Sequence, residues 1–292
     1  MGRKNIFQIM ESMRDLSKEI TRLESMLNDK KGVRLYDSSY PLWDMEVSKY
    51  MKIEEFVDEY AFKTWKARRT CVNLEDLLNT LGINDMFSED DFCEENVLIY
   101  LEYVANVLWL AKKVKTTKKY TIQLSDVFNA VEENLVTVLD WLNYEMKLYE
   151  KKEQVLVVRK NASATSVAEI VEDNLAYQIV KYNHHSLKGD IESKKVILLA
   201  LGSELEPKRK DINEINKKLA DDIFFMLNNL NLRHNNRSKS DKNYKEAVAK
   251  MRKPALEDWY DELYQMMLLA FLELDNKERN ERVAELKAKI NG

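Results

Sequence analysis

The sequence predicts an all-α chain built as two helical-bundle domains, residues 1–150 and 165–292, with room for one short strand pair near their junction. Three observations predict it. Gly (6) and Pro (3) are scarce among 292 residues, whereas all-β folds need turn residues every ten positions or so. Leu, Glu, Lys and Met, which favour helices, are abundant. Apolar residues recur at steps of three and four along most of the chain, the period of one helix face. The length exceeds what one core needs and suits two. A 45% apolar and 33% charged composition supplies both a core and a solvated surface.

The elements follow in chain order. A first helix is predicted from about Lys4 to Asn28, with Ile6, Ile9, Met13, Leu16, Ile20, Leu23 and Leu27 at alternating steps of three and four. That seam fits a helix packed inside the chain, or a dimerising coiled coil. Residues 29–41 read as a break, with Gly32 and the turn-like Asp37-Ser38-Ser39. A second helix is predicted from Met45 to about Arg68, burying Ile53, Phe56, Val57, Tyr60 and Trp65. Asn73 suits the N-cap of a short helix, and Gly82 the left-handed position that ends it. Ser88 with Asp91 opens the next helix as a capping box, with Val97, Leu101, Val104, Leu108 and Ala111 on its inner face. After a polar connector at Lys115–Tyr120, a helix from Ser125 carries Val131, Leu135, Val138, Leu142, Met146 and Tyr149. Residues 151–164 form the junction, where Val155-Leu156-Val157-Val158 reads as a short strand or a frayed helix end.

The second half is predicted as helices over Ser166–His185, Asp190–Leu201 (closed by Gly202) and from Pro207 toward Leu232. A polar loop, Asn235–Asn243, and a short helix, Tyr244–Met251, come next. Pro254 suits the first turn of a helix carrying Leu256, Trp259, Leu263, Met266, Met267 and Phe271. The tail, Asn276–Ile290, reads as a charged helix with Val283, Leu286 and Ile290.

Several classes are disfavoured. A net charge of −4 gives no overall pull toward nucleic acid or membrane. No apolar run approaches a membrane span, and no apolar signal region opens the chain, so a cytoplasmic protein with no membrane partner is expected. Cys71 and Cys93 fit neither a disulfide framework nor a zinc site. GxGxxG, a phosphate loop, HExxH and ExxH are all absent. No cofactor and no metal site is therefore expected.

Candidate chemistry gathers in the second half, which holds all three histidines, His184, His185 and His234. Histidine titrates near neutral pH and serves as a general acid or base. The sharpest cluster is Asn228-Asn229-Leu230-Asn231-Leu232-Arg233-His234-Asn235-Asn236, where a core stripe gives way to weak helix formers. Were the helix to continue, Asn229 and Arg233 would share a face, as would Leu230 and His234. A guanidinium can hold a phosphate with paired donors, an imidazole can move its proton, and amides can orient a sugar or base. On this reading Arg233, His234, His184 and His185 are the catalytic candidates. Asn228, Asn229, Asn235, Asn236 and Arg237 are the substrate-binding ones. The chemistry that fits is metal-independent RNA cleavage by the ribose 2′-hydroxyl. The plain alternative is a capped helix end and its loop. Basic patches at Lys63, Lys66, Arg68 and Arg69 around Trp65, and at Lys112–Lys119, fit either RNA or solvated helix faces.

Residues 166–275 resemble the helical domains of bacterial abortive-infection (phage-defence) proteins of the HEPN-type superfamily. The resemblance rests on Lys181-Tyr182-Asn183-His184-His185, on the turn Leu187-Lys188-Gly189-Asp190, and on Leu227–Asn236 followed by an aromatic-rich helix. It implies a small helical bundle, often a homodimer, in proteins that act as endoribonucleases or as their inactive scaffolds. That family's RNases carry Arg, then four to six residues, then His. Here Ser238, Lys239 and Ser240 occupy those positions after Arg233. Two functions therefore stand open. One is an RNA-cleaving protein of abortive-infection or toxin type, or an inactive relative. The other is a non-enzymatic scaffold that binds a protein partner or a second copy through the first helix.

Overall fold

The computed structural model describes residues 15–39, 47–84 and 92–291. These residues are mainly helical with two small sheets, and contacts divide the chain into two compact units, residues 1–158 and 159–292.

In the first unit, helix α1 spans Leu16–Leu27, with the Asp15 side chain accepting from the Lys18 N–H at its start. Its described seam residues Ile20, Leu23 and Leu27 are buried and belong to the unit's own core. The stripe packs on α5 (Asp126–Trp141), which buries Phe128, Val131, Leu135 and Val138. This half of the seam therefore faces inward rather than toward another chain. Ile6, Ile9 and Met13 lie outside the described residues.

The predicted break after α1 is instead a strand, β1 (Val33–Asp37), which pairs antiparallel with β2 (Val47–Met51) and β3 (Tyr120–Leu124) in the order β2-β1-β3. Two further expectations yield to this sheet. The start of the predicted second helix is β2, and the helix proper, α2, is only Ile53–Tyr60, followed by two single 3-10 turns. The polar connector at residues 115–120 leads into β3. Helix α3 (Leu74–Leu81) is bounded as predicted. Asn73 accepts from the Asp76 N–H, and Gly82 has φ 69°, a left-handed conformation that costs glycine little.

Helix α4 spans Glu94–Lys113, with Cys93 in extended conformation before its first turn; the predicted capping box at Ser88 and Asp91 lies outside the described residues. It is buried on nearly every side, from Val97 to Ala111, and forms the middle of the core. Ser125 caps α5 through its hydroxyl, as predicted. That helix ends at Trp141, however, and Met146 and Tyr149 belong to strand β4 (Tyr144–Tyr149), which forms a two-stranded sheet with β5 (Gln154–Arg159). The strand pair near the junction is thus present, and residues 155–158 are strand rather than frayed helix.

The second unit is a bundle of helices. The predicted Ser166–His185 helix is two, α6 (Ala162–Ala168) and α7 (Asp173–Tyr182), the first capped by the Asn161 side chain. Helix α8 runs Ile191–Leu205, straight through Gly202. A Cβ at that position would meet both Leu227 methyls at 3.1 Å, so this glycine permits close packing rather than ending the helix. The segment from Pro207 is divided by the Asn216 cap into α9 (Arg209–Ile215) and α10 (Lys217–Asn229). A short α11 (Glu246–Ala249) precedes α12, which is continuous over Lys253–Asn291 and joins the aromatic helix to the charged tail. Its 39 residues span about 58 Å. Leu256, Tyr260, Leu263, Tyr264, Met267, Leu268 and Phe271 form the core face, packed chiefly on α8. Among the described residues no helix is long and apolar enough to cross a membrane.

Candidate functional site

Helix α10 stops at Asn229, because Asn231 takes a left-handed conformation with φ 59°. Asn tolerates that conformation better than most residues. The helical continuation that would have stacked Asn229 with Arg233, and Leu230 with His234, is therefore absent. Asn229 donates back to the Phe225 carbonyl one turn earlier, and Asn228 is half-buried on the last turn. Leu230 and Leu232 turn inward to the core, and the Tyr260 hydroxyl donates to the Leu230 carbonyl at 3.0 Å.

The loop that follows is built around Asn236, which is fully buried. Its side-chain oxygen accepts from the Asn231 N–H and its amide donates to the Asn243 carbonyl, each at 2.8 Å. Its own carbonyl accepts from the Lys245 N–H at 2.8 Å, tying both ends of the loop together. Asn235 accepts from the N–H groups of Arg237 and Ser238, a local turn. The Arg237 guanidinium donates to the Met251 carbonyl at 3.1 Å.

Arg233 forms a charge-assisted hydrogen bond with Glu206 and lies over the Phe224 ring. Any phosphate bound there would compete with a carboxylate already in place. The His234 side chain is exposed. The His184 and His185 rings pack with centroids 4.2 Å apart and planes tilted by 34°, and His184 Nδ1 lies 2.7 Å from the Ser186 hydroxyl. Geometry along α8 separates the two groups. Arg233 reaches Gly202 and Glu206 at its C-terminal end, whereas the histidines precede its first residue, Ile191. The 15 residues of that helix cover about 22 Å. Arg233 and the histidine pair therefore do not converge on one cleft within this unit.

The densest polar site of the unit lies elsewhere. Lys194 is 6% exposed, and its ammonium lies 2.7 Å from both Glu257 and Asp261 on α12. The Tyr182 hydroxyl donates to Asp261 at 2.8 Å, and the Tyr182 ring stacks on Tyr264 at 4.0 Å. The Tyr264 hydroxyl donates to the Ile179 carbonyl and accepts from the Asn183 amide. Burial, reinforced by the Asp261 charge, pushes the Tyr182 phenol far above its usual range, so it remains a donor. Burial pulls the Glu257 carboxyl upward. The hydrogen bonds from Lys194 and the Gly189 N–H, with the attraction of Lys194, outweigh it and hold the group below the usual carboxylate range. This network fixes α7, α8 and α12 in register.

One sequence signal for this network exists. Ile191, Lys194, Leu198, Leu201 and Leu205 are spaced 3, 4, 3 and 4 apart on one face, all buried. A lysine on such a stripe demands a buried acid.

Parts of the basic patches are engaged within the first unit. Trp65 is buried and its indole donates to the Glu153 carbonyl. Lys112 pairs with Glu132, and Lys113 with Glu153 at 3.1 Å. Cys71 is buried and Cys93 exposed.

The remaining feature is the end of α12. Every residue from Glu278 to Asn291 is exposed, including Val283 (47%), Leu286 (55%) and Ile290 (72%). Arg279–Asp275 and Lys277–Asp211 ion pairs support its base. The packed half of α12 supplies the nucleus that an isolated four-turn helix lacks. Comparison with protein-family models, with curated proteins and with solved structures finds no match for this chain.

Proposed function

We propose that this protein is a non-enzymatic helical scaffold whose second unit presents the end of α12 to a protein partner. One observation carries the reading. About four turns of well-formed helix stand outside the packed unit, with an apolar stripe exposed along them. A helix exposed all round is usually polar all round, so Val283, Leu286 and Ile290 call for a covering surface. A second support is the loop after α10. Its Asn and Arg side chains are engaged in holding that loop and its neighbours in place, which is the pattern of a structural element.

Site-specific photo-crosslinking in the native cells tests this. A photoreactive residue at position 286 is expected to yield a discrete protein adduct, and one at position 234 none. RNA or protein adducts from position 234 with none from 286 would reverse the assignment. They would return the chain to the ribonuclease reading, with Arg233 and His234 at its centre.

A further inference from the structure

The charges on the free end of α12 are segregated, and their arrangement identifies the kind of partner. At about 100° per residue, Val283, Leu286 and Ile290 continue the line of Leu268 and Leu272, which pack on the unit's own core. The line is packed as far as Leu272 and exposed from Val283 onward. The exposed residues' spacing of three and four is that of the seam positions of a coiled coil.

The charged residues within or beside this stripe are basic. Arg279 lies in line with it and is paired with Asp275, Arg282 and Lys287 border it, and Lys289 lies next to Arg282. Glu278, Glu281 and Glu285 fall on the remaining faces. All of these side chains are exposed. The flanks of a coiled-coil seam set partner choice through charge.

A second copy of the same helix does not fit. Paired in parallel, Arg282 of one copy would face Lys287 of the other, and antiparallel pairing also sets basic flank against basic flank. From this arrangement we infer that the end of α12 pairs with an amphipathic helix of a different protein. That helix carries an apolar seam of the same spacing, flanked by Glu or Asp. The inference rests on the proposed scaffold function and specifies its partner. An acidic-flanked helix covers the apolar stripe and meets Arg282, Lys287 and Lys289 with opposite charge. Like charges placed there would oppose the wrong partners.

The test uses the full chain and two synthetic helical peptides of three heptads. Both carry Ile and Leu at the seam. One has Glu at every flanking position, the other Lys. Fluorescence anisotropy is expected to show binding of the Glu peptide and at least a tenfold weaker response to the Lys peptide. The preference should shrink as salt rises. Leu286→Glu is expected to weaken the Glu peptide at least tenfold with an unchanged circular dichroism spectrum. Equal binding of both peptides, binding of neither, tighter binding to anionic vesicles, or self-association of the free chain by light scattering would each overturn the inference. Failure here with a protein adduct from position 286 would reject the acidic partner and leave the scaffold reading standing. Absence of that adduct would reject the scaffold reading itself.

Discussion

Two stretches of the second unit invite opposite readings, and their side chains are engaged in opposite ways. Residues 228–237 carry the chemistry-bearing side chains, with Asn, Arg and His crowded together. The end of α12 reads as an ordinary charged helix. In the fold, Asn229, Asn235, Asn236, Arg233 and Arg237 each hold a neighbouring group in place. Val283, Leu286 and Ile290 are left exposed on the last turns of α12, uncovered by the other described residues of this unit. Residue type indicates what a segment could do. What decides is whether its polar groups are already satisfied and its apolar ones already buried.

Substitutions can break or sharpen this contrast, beginning with the largest effect. Lys194→Ala leaves Glu257 and Asp261 without their shared cation. A buried charge pair broken from one side costs about 3–5 kcal/mol, and the half-exposed Asp261 moves the expected loss toward about 3 kcal/mol. Asn236→Ala comes next. It strands the Asn231 N–H and the Asn243 carbonyl, for about 2 kcal/mol by denaturant unfolding. Were Asn236→Ala neutral, the loop would not be the self-supporting element described here.

Acid separates the same regions. The Glu257 carboxyl is depressed in the fold, so its contribution is fully present above the unfolded-state pKa, near 4.3. It is lost as pH falls through the lower folded value. Stability should therefore decline from about pH 4 downward, and Glu257→Gln should flatten that decline. An unaltered acid limb in Glu257→Gln would remove the network from the account. The smallest stability effect is expected at Leu286→Glu, within about 0.5 kcal/mol of the parent, because the residue is solvated already.

The parts of this fold legible in sequence are those set by nearby residues. Asn73 and Gly82 bound their helix, and Ser125 opens α5, because caps act over three or four positions. The inward stripes of α1, α4 and α5 follow from period alone. The central sheet was hidden because its pairing is distant. Tyr36 meets Gln123 across 87 residues, and neither strand alternates cleanly enough to announce itself. Gly202 reads as a helix end until Leu227 is seen against it. The junction strand was visible in Val155–Val158, but its partner at 144–149 reads equally well as more helix.

For the candidate site, Asn231 was decisive. Its left-handed backbone ends α10, so Asn229 does not share a helix face with Arg233, nor Leu230 with His234. Lys194 was readable as a charge on an apolar stripe, but its partners lie 63 and 67 positions away, beyond any local pattern. The free stripe of α12 was visible as Val283, Leu286 and Ile290. Only their exposure beyond the packed part of α12 shows that the described residues of this unit leave them uncovered.

The most direct measurement compares the two stretches in one assay. Affinity for the acidic-flanked peptide is measured on the parent chain, on Leu286→Glu and on the double variant Arg233→Ala/His234→Ala. The account predicts at least a tenfold loss for Leu286→Glu and parental affinity for the double variant. Parental affinity in Leu286→Glu, or an equal loss in the double variant, would contradict it.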